Sequence, residues 1–267
     1  SDLENILKKN PPSTFGKYKN GLKLGGCKAT QDGSVQGRTG YFTKPYLTGG
    51  PTGQKNWRGE PEFPQAVLNK FMKTCYDAGL QTLVHANGDA AVEMVLVGHR
   101  HAAGKDLAKD RRTIVVHAQF ATAAQLDKMV EYNMIPSFYS EHTFFFSAAH
   151  LKNLGKDLTF KLSPMRTAID KGLKPTNHTD FNVVPINQLW TVWTAVTRVS
   201  RTGEVIGPKE RITPTEALKA ITINAARQYF EQDRKGSLEP GKQADLVILD
   251  GNPTTVDPMK IRDIAVL

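Results

Sequence analysis

The sequence predicts an α/β fold, a parallel sheet surrounded by helices as in a (β/α)8 barrel. Three observations carry that reading. Short apolar runs alternate with helical patterns in units of roughly thirty residues. Two of the runs, "LQTLVHA" and "RTIVVHAQ", end in histidines, His85 and His117, that lie 32 residues apart, one repeat unit. The strand ends of a barrel converge on one mouth, so two such histidines would point into a common site. The Gly-x-Gly-x-x-Gly turn of the nucleotide-binding open sheet is absent.

The elements follow in order. The first thirty residues are irregular, with a short strand region in "GLKLGGCKAT" and a Gly-rich loop in "QDGSVQGRTG". "PQAVLNKFMKTCYDAG" spaces Val67, Leu68, Phe71, Met72 and Cys75 as one helical face and closes on Gly79. "LQTLVHA" is a strand and "DAAVEMVLVGHRHAA" a helix; "RTIVVHAQ" is a strand and "TAAQLDKMVEYN" a helix capped by Thr122. "MIPSFYS" is a strand, followed by a helical region that includes "SPMRTAIDKG". "LKPTNHTD" is a short strand and "INQLWTVWTAVTRV" a helix. "TPTEALKAITINAARQYF" reads as one helix, with Thr213 as cap, Pro214 in the first turn and Glu216 completing a capping box. After Arg234 the texture changes to turns and short strands in "GSLEPGKQADLVILDGNP", which predicts β structure outside the barrel.

Composition narrows the function classes. A chain of 267 residues with 39% hydrophobic content can bury a large core. No apolar run approaches the roughly eighteen residues of a membrane span. The net charge of +9 is scattered rather than gathered into a basic block with exposed aromatics, so it reads as a solvated surface and not as a nucleic-acid site. Cys27 and Cys75 are too few for a disulfide framework, Cys75 belongs to a core stripe, and "SDLENILKKN" lacks a signal-peptide shape. These features lean toward the cytoplasm without defining a compartment.

Four strand ends hold ionisable residues: Lys28, His85, His117 and Asp180. Neutral imidazole and carboxylate are good ligands for zinc, and also for iron or manganese. A metal would acidify water, and a neighbouring carboxylate could take and return the proton. Each residue also has a plainer role: a hydrogen-bonded core histidine, a helix-capping aspartate, a surface lysine. His99 and His101, two apart on a helix, read as solvated. The "NHT" at Asn177–Thr179 matches a glycosylation sequon, but it stands at a strand end expected to be buried.

Several of these segments together resemble the amidohydrolase superfamily. "LVHANGDAA", "RRTIVVHAQ" and "TNHTDFNVVP" are similar to its fifth-, sixth- and eighth-strand motifs. The nearest branch is that of N-substituted-formamide-deformylase-like metal-dependent hydrolases. "GGCKATQDGSVQGRTG" resembles the Lys-x-x-x-Asp-Gly-Ser loop after strand four, and "ITPTEALKAITINAARQYF" with "GSLEPGKQADLVILD" resembles the last helix and the return into a β-sandwich.

The resemblance implies a metal-dependent hydrolase of a non-peptide C–N bond, amide or formamide in type, that acts through metal-bound hydroxide. It implies one or two divalent ions, zinc first. His85, His117, Asp180 and Lys28 become the metal ligands, Asp180 also the base, and Lys28 a site of carboxylation, with Lys23 a weaker rival. His142 becomes a substrate-facing catalytic residue, and Arg166 a substrate contact whose alternative is a helix-surface arginine. His178 stands where relatives mostly carry a small residue.

The strand-one His-x-His pair has no counterpart, since "HRH" at His99–His101 falls on a helix. The expectation is therefore a partial barrel, about strands four to eight, over residues 1–234, followed by the start of a returning β-sandwich over 235–267. Two rivals stay open: a barrel remnant that binds a ligand or partner without turnover, and a lactonase or deaminase on the same scaffold. The expected partner is a small-molecule substrate. Open strand edges add the expectation of a homo-oligomer.

Overall fold

A computed structural model of the chain describes residues 2–267. Helix α1 (Asp2–Lys9) leads to a two-stranded hairpin, β1 (Tyr18–Lys19) and β2 (Leu22–Lys23). Then come β3 (Cys27–Thr30), α2 (Gln65–Asp77), β4 (Thr82–Ala86), α3 (Asp89–Ala103), β5 (Ile114–His117), α4 (Ala123–Glu131) and β6 (Ile135–Phe138). Three short helices follow, α5 (His142–Phe145), α6 (Ser147–Leu154) and α7 (Lys156–Thr159), and then α8 (Met165–Asp170) and β7 (Thr176–Asn177). The chain continues through α9 (Gln188–Thr197), α10 (Pro214–Ile221) and α11 (Ile223–Gln228).

Strands β3 to β7 form one sheet in chain order, and every pairing in it is parallel. That is the wall of a barrel, with β3 to β7 in the places expected of strands four to eight. The outer face carries the core. Val84, Ala86 and Val115 pack with Ala91, Val92, Val95 and Leu96 of α3 and with Leu126 and Met129 of α4. Helix α2 packs closely on α3 at Gly98, where a Cβ would meet Met72 Sδ at 2.7 Å.

The caps are those the sequence predicts. Thr122 and Thr213 each accept the N3 backbone N–H, and Gln125 and Glu216 close the two capping boxes. The helix predicted after Thr213 is in fact two. Thr222 leaves helical geometry (φ −122°, ψ −96°) between α10 and α11. Ile221, Thr222 and Ile223 are three β-branched residues in a row, each restricted at χ1 in a helix, and the break falls among them.

Two other expectations change. His99 is fully buried rather than solvated: it stacks on Tyr132 at 4.8 Å, and its ring nitrogens reach the Tyr76 hydroxyl and the Leu107 carbonyl. A polar side chain can occupy a core position once both nitrogens are paired. The β-sandwich strands expected over 235–267 do not form among the described residues; one antiparallel bridge, Leu249 to Val266, stands in their place. This segment also packs on the barrel helices: Ile261 is buried in the main core and Arg262 lies 4.5 Å over the Trp193 ring. No helix of the described residues is long and apolar enough to cross a membrane.

One buried cation holds the segment before α8. Arg198 is fully buried, in left-handed backbone at the end of α9. Its guanidinium donates to the carbonyls of Ile206 (2.6 Å), Leu162 (2.5 Å) and Ser163 (3.2 Å). Burial pulls its pKa down to about 10, so it stays charged at neutral pH. Arg198→Met keeps much of the volume but leaves those carbonyls without a donor. It should lower unfolding stability by about 3 kcal/mol in urea titration.

Candidate active site

The sheet register determines which side chains can meet. Lys28 pairs with Leu83, Thr30 with His85, His85 with Val116, Val116 with Ser137, and Ser137 with Thr176. Residues paired in this way point to the same face. Two positions further on, Tyr139 and His178 keep that parity, so His85, Tyr139 and His178 belong to the inner face. His117 does not. It pairs with Ala86, one residue out of step with His85, although the sequence suggested equivalent positions.

The backbone brings His117 round. It has φ +70°, and Ala118 follows at +44°. Left-handed backbone at a non-glycine residue costs about 1–3 kcal/mol and clusters at functional sites. The result is that His117 Nε2 lies 3.0 Å from His85 Nδ1, with the rings edge to face at 4.5 Å. Asp180, also left-handed at φ +52°, places Oδ2 4.0 Å from His117 Nε2.

Two imidazole nitrogens that face each other need a proton or a cation between them, because two lone pairs repel. Ligands at ordinary zinc–nitrogen distances stand about 3.3 Å apart across a tetrahedral ion. The His85–His117 separation approaches this value. Burial, reinforced by His178, His85, His142 and Lys28, holds His117 well below the usual imidazole range. It is neutral at pH 7, the form that binds metal. The donor types here, two imidazoles and a carboxylate, are ones that suit a divalent cation. Among the described residues, no group of three or more His, Cys, Asp or Glu is already drawn together as a cage.

Asp32 braces this arrangement from below. Its buried carboxylate accepts the backbone N–H of Tyr41, Asn87 and Gly88, each at 2.9 Å, and lies 3.4 Å from His85 Nε2. Asn87 Nδ2 is 3.0 Å from the same ring nitrogen. The opening of α3 is thus tied to the loop after β3. Gly88 permits the close approach, since a Cβ there would meet the Tyr41 carbonyl oxygen at 1.9 Å. In the sequence Asp32 stands out only as part of the Lys-x-x-x-Asp-Gly-Ser motif. Its role depends on amides from two loops distant in the chain.

A second layer lies beyond His117. Tyr139 stacks on His178 at 5.5 Å and meets His142 edge-on at 4.4 Å. His178 Nδ1 accepts the Asp180 backbone N–H at 3.1 Å, and burial lowers its pKa to about 4. His142 is fully enclosed on its Nδ1 side by Gln119 and His150, and burial holds it well below the ordinary value. Tyr139, Gln119 and His150 were not legible as site residues: a strand-end tyrosine, a loop glutamine and a helix histidine carry no pattern.

The predicted set is only partly assembled. His85, His117 and Asp180 come together. Lys28 lies exposed on β3, and its charge acts on both His117 and His178. Lys23, the weaker rival, is instead ion-paired to Glu231 behind the hairpin. Arg166 is not brought to the cluster. Its guanidinium is shared between both carboxylate oxygens of Glu216, Asp170 one turn along α8, and the Arg211 carbonyl. Asn177 of the sequon is buried and bonded to Ser140, as its position implied.

Comparison with known proteins gives the family. A model described as the amidohydrolase family matches residues 5–267, and the chain belongs to that family. It is 32% identical over 233 residues to Protein LONG AFTER FAR-RED 3 of Arabidopsis thaliana, a match covering 86% of this chain and 39% of that protein. It is 27% identical over 192 residues to N-substituted formamide deformylase of Arthrobacter pascens, covering 71% of this chain and 35% of the relative. A crystal structure of an uncharacterized metal-dependent hydrolase from Pyrococcus furiosus superposes with a TM-score of 0.77 at 25% identity, over 97% of this chain and 50% of that one. The chain spans half or less of the length of these relatives.

Two outcomes follow from the site's construction. Asp32→Asn replaces one amide-accepting oxygen with a donor, so it should cost about 2–3 kcal/mol of stability in chemical denaturation. Glu141, beside His142, is buried with Thr191 Oγ1 donating to it at 2.7 Å, and burial pushes its pKa up to about 7. A carboxyl raised in the fold contributes stability that is present below its unfolded pKa and is lost as pH rises through about 7. Glu141→Gln should therefore match the parent near pH 5 and exceed it in Tm at pH 8. A Tm difference that does not change between the two pH values would contradict the buried-acid assignment.

Proposed function

We propose that this chain works as a divalent-metal-dependent hydrolase that cleaves a non-peptide carbon–nitrogen bond, amide or formamide in type, in a small-molecule substrate. The observation that carries the reading is that His117 Nε2 meets both His85 Nδ1 and Asp180 Oδ2 at the ends of β4, β5 and β7. Family membership and the likeness to a formamide deformylase support the bond type.

His85 and His117 would hold the metal, zinc first and iron or manganese next, with Asp180 completing the set. Lys28, on the same sheet face, supplies an anionic oxygen only if it is carboxylated; as an ammonium it repels a cation. When bound, the metal contributes Lewis acidity and lowers the pKa of water.

The remaining work falls to the chain's own side chains. Asp180 accepts the proton of the attacking water on its carboxylate and returns it to the leaving nitrogen. His142 faces the substrate carbonyl. Tyr139 and His178 form an aromatic wall that limits water on the far side of His117.

A second reading, ligand binding without turnover, draws on the 4.0 Å gap between Asp180 and His117 and on the absence of a closed cage among the described residues. Calorimetric titration with zinc, iron(II) and manganese, followed by assay on formamides, amides, lactones and aminopurines, separates the two. The hydrolase reading expects metal binding that His117→Ala abolishes. It also expects C–N turnover that Asp180→Asn lowers by about 10³-fold with the fold intact. Metal binding without turnover on any of these substrates favours the second reading.

A further inference from the structure

Behind His142 lies a buried polar group of three side chains, Gln119, His142 and His150. Gln119 Nε2 is 2.7 Å from His142 Nδ1 and 3.3 Å from His150 Nε2. His150 Nε2 is itself 3.1 Å from His142 Nδ1. Three nitrogens therefore meet with no carboxylate and no carbonyl oxygen among them.

Proton counting limits what this group can be. An amide nitrogen only donates, so His142 Nδ1, at the shortest contact, must accept. A neutral imidazole that accepts at Nδ1 carries its proton on Nε2. His150 has two options. With its proton on Nε2 it becomes a second donor to His142 Nδ1; with its proton on Nδ1 it accepts from Gln119. His150 Nδ1 has no hydrogen-bond partner. A buried N–H left there costs more than a bare lone pair, which favours the first option. Under either option His142 keeps its proton on Nε2.

The tautomer follows from which end of the Gln119 amide faces His142, since amide oxygen and nitrogen can be interchanged. As it stands, Gln119 leaves one acceptor, Oε1, without a partner. Turning the amide would bury two N–H groups where the oxygen now makes no hydrogen bond. The ring itself is held in place: Tyr139 meets it at 89°, His150 stacks parallel at 5.3 Å, and Phe146 lies at 4.9 Å. His142 Nε2 makes no hydrogen bond among the described residues, so this N–H is the ring's one uncommitted donor.

We propose that Gln119 and His150 are positioning residues that present protons to His142 Nδ1 and fix the ring as its Nε2–H tautomer. His142 is then a hydrogen-bond donor to the substrate's carbonyl oxygen, neither a metal ligand nor a base. Its use on a carbonyl rests on the hydrolase reading above; the tautomer does not. Such a donor strengthens as negative charge develops on that oxygen.

Two-bond ¹H–¹⁵N correlation spectra of histidine-labelled protein, with the His142 signals assigned by their loss in His142→Asn, read the tautomer directly. The expected result is Nε2–H in the parent protein. Gln119→Glu supplies an acceptor and should move the proton to Nδ1. If that buried charge prevents folding, Gln119→Met combined with His150→Phe removes both donors and keeps the stacked ring, and should give a mixture of tautomers. A parent protein with Nδ1–H, or Nε2–H persisting after both donors are gone, overturns the proposal. On any amide that the parent hydrolyses, Gln119→Glu should lower kcat by about 10²-fold with KM little changed. Lack of turnover with the expected tautomer would sink the hydrolase reading and leave the positioning role standing.

Discussion

The left-handed exit from β5 is the constraint on which the site depends. Side-chain parity across the parallel sheet would send His117 outward with Val115, into the helices. Positive φ at His117 and Ala118 turns it inward instead, 3.0 Å from His85. The cost is of the order of 1–3 kcal/mol for each such residue, and the fold must hold it from outside. It does so through the loop that follows: the Phe120 N–H donates to the Asn87 carbonyl, and the Gln119 carbonyl accepts from Ser163.

The rest of the mouth is built as polar cross-links between neighbouring loops. Asp32 gathers amides from the loop at Tyr41 and from the start of α3. Gln119 reaches α5 and α6 through His142 and His150. Asn177 exchanges hydrogen bonds with Ser140. Below this layer the outer face of the sheet is a conventional apolar core. The division is physical: dispersion and burial locate the strands, while directional hydrogen bonds orient the side chains at their ends. His178 and Tyr139 continue the same inner-face row, and burial is the largest cause both of the lowered pKa of the first and of the raised pKa of the second, with Glu141 and Asp180 adding to the rise at Tyr139.

The sequence made most of the sheet legible because its signals are local. The helix after "HANG" and the strands ending at His85 and His117 lie where the periodicity places them. The failures share a cause. His99 read as solvated because helical spacing alone ignores Tyr76 and Tyr132, which arrive from other elements. Arg166 carried two readings, substrate contact and helix-surface arginine, and spacing could not choose between them because its partner Glu216 is fifty residues away in the chain. The sandwich strands read as strands from "ADLVILD", but a strand needs a partner along its whole edge, and here a single bridge is made.

For the candidate site the division is similar. Residue type and repeat spacing by themselves picked out His85 and His117 at the ends of β4 and β5 and Asp180 just past β7; Lys28, read as a strand end, is the second residue of β3. They also determined that the sheet is parallel, because each strand is followed by a helix too long for a hairpin. Only the tertiary structure decided that His117 turns inward, that Asp32 lies against His85 while Arg166 pairs with Glu216, and that Gln119 and His150 stand behind His142. Each of these depends on φ or on hydrogen bonds between loops remote in the chain, and neither quantity leaves a periodic trace in a sequence.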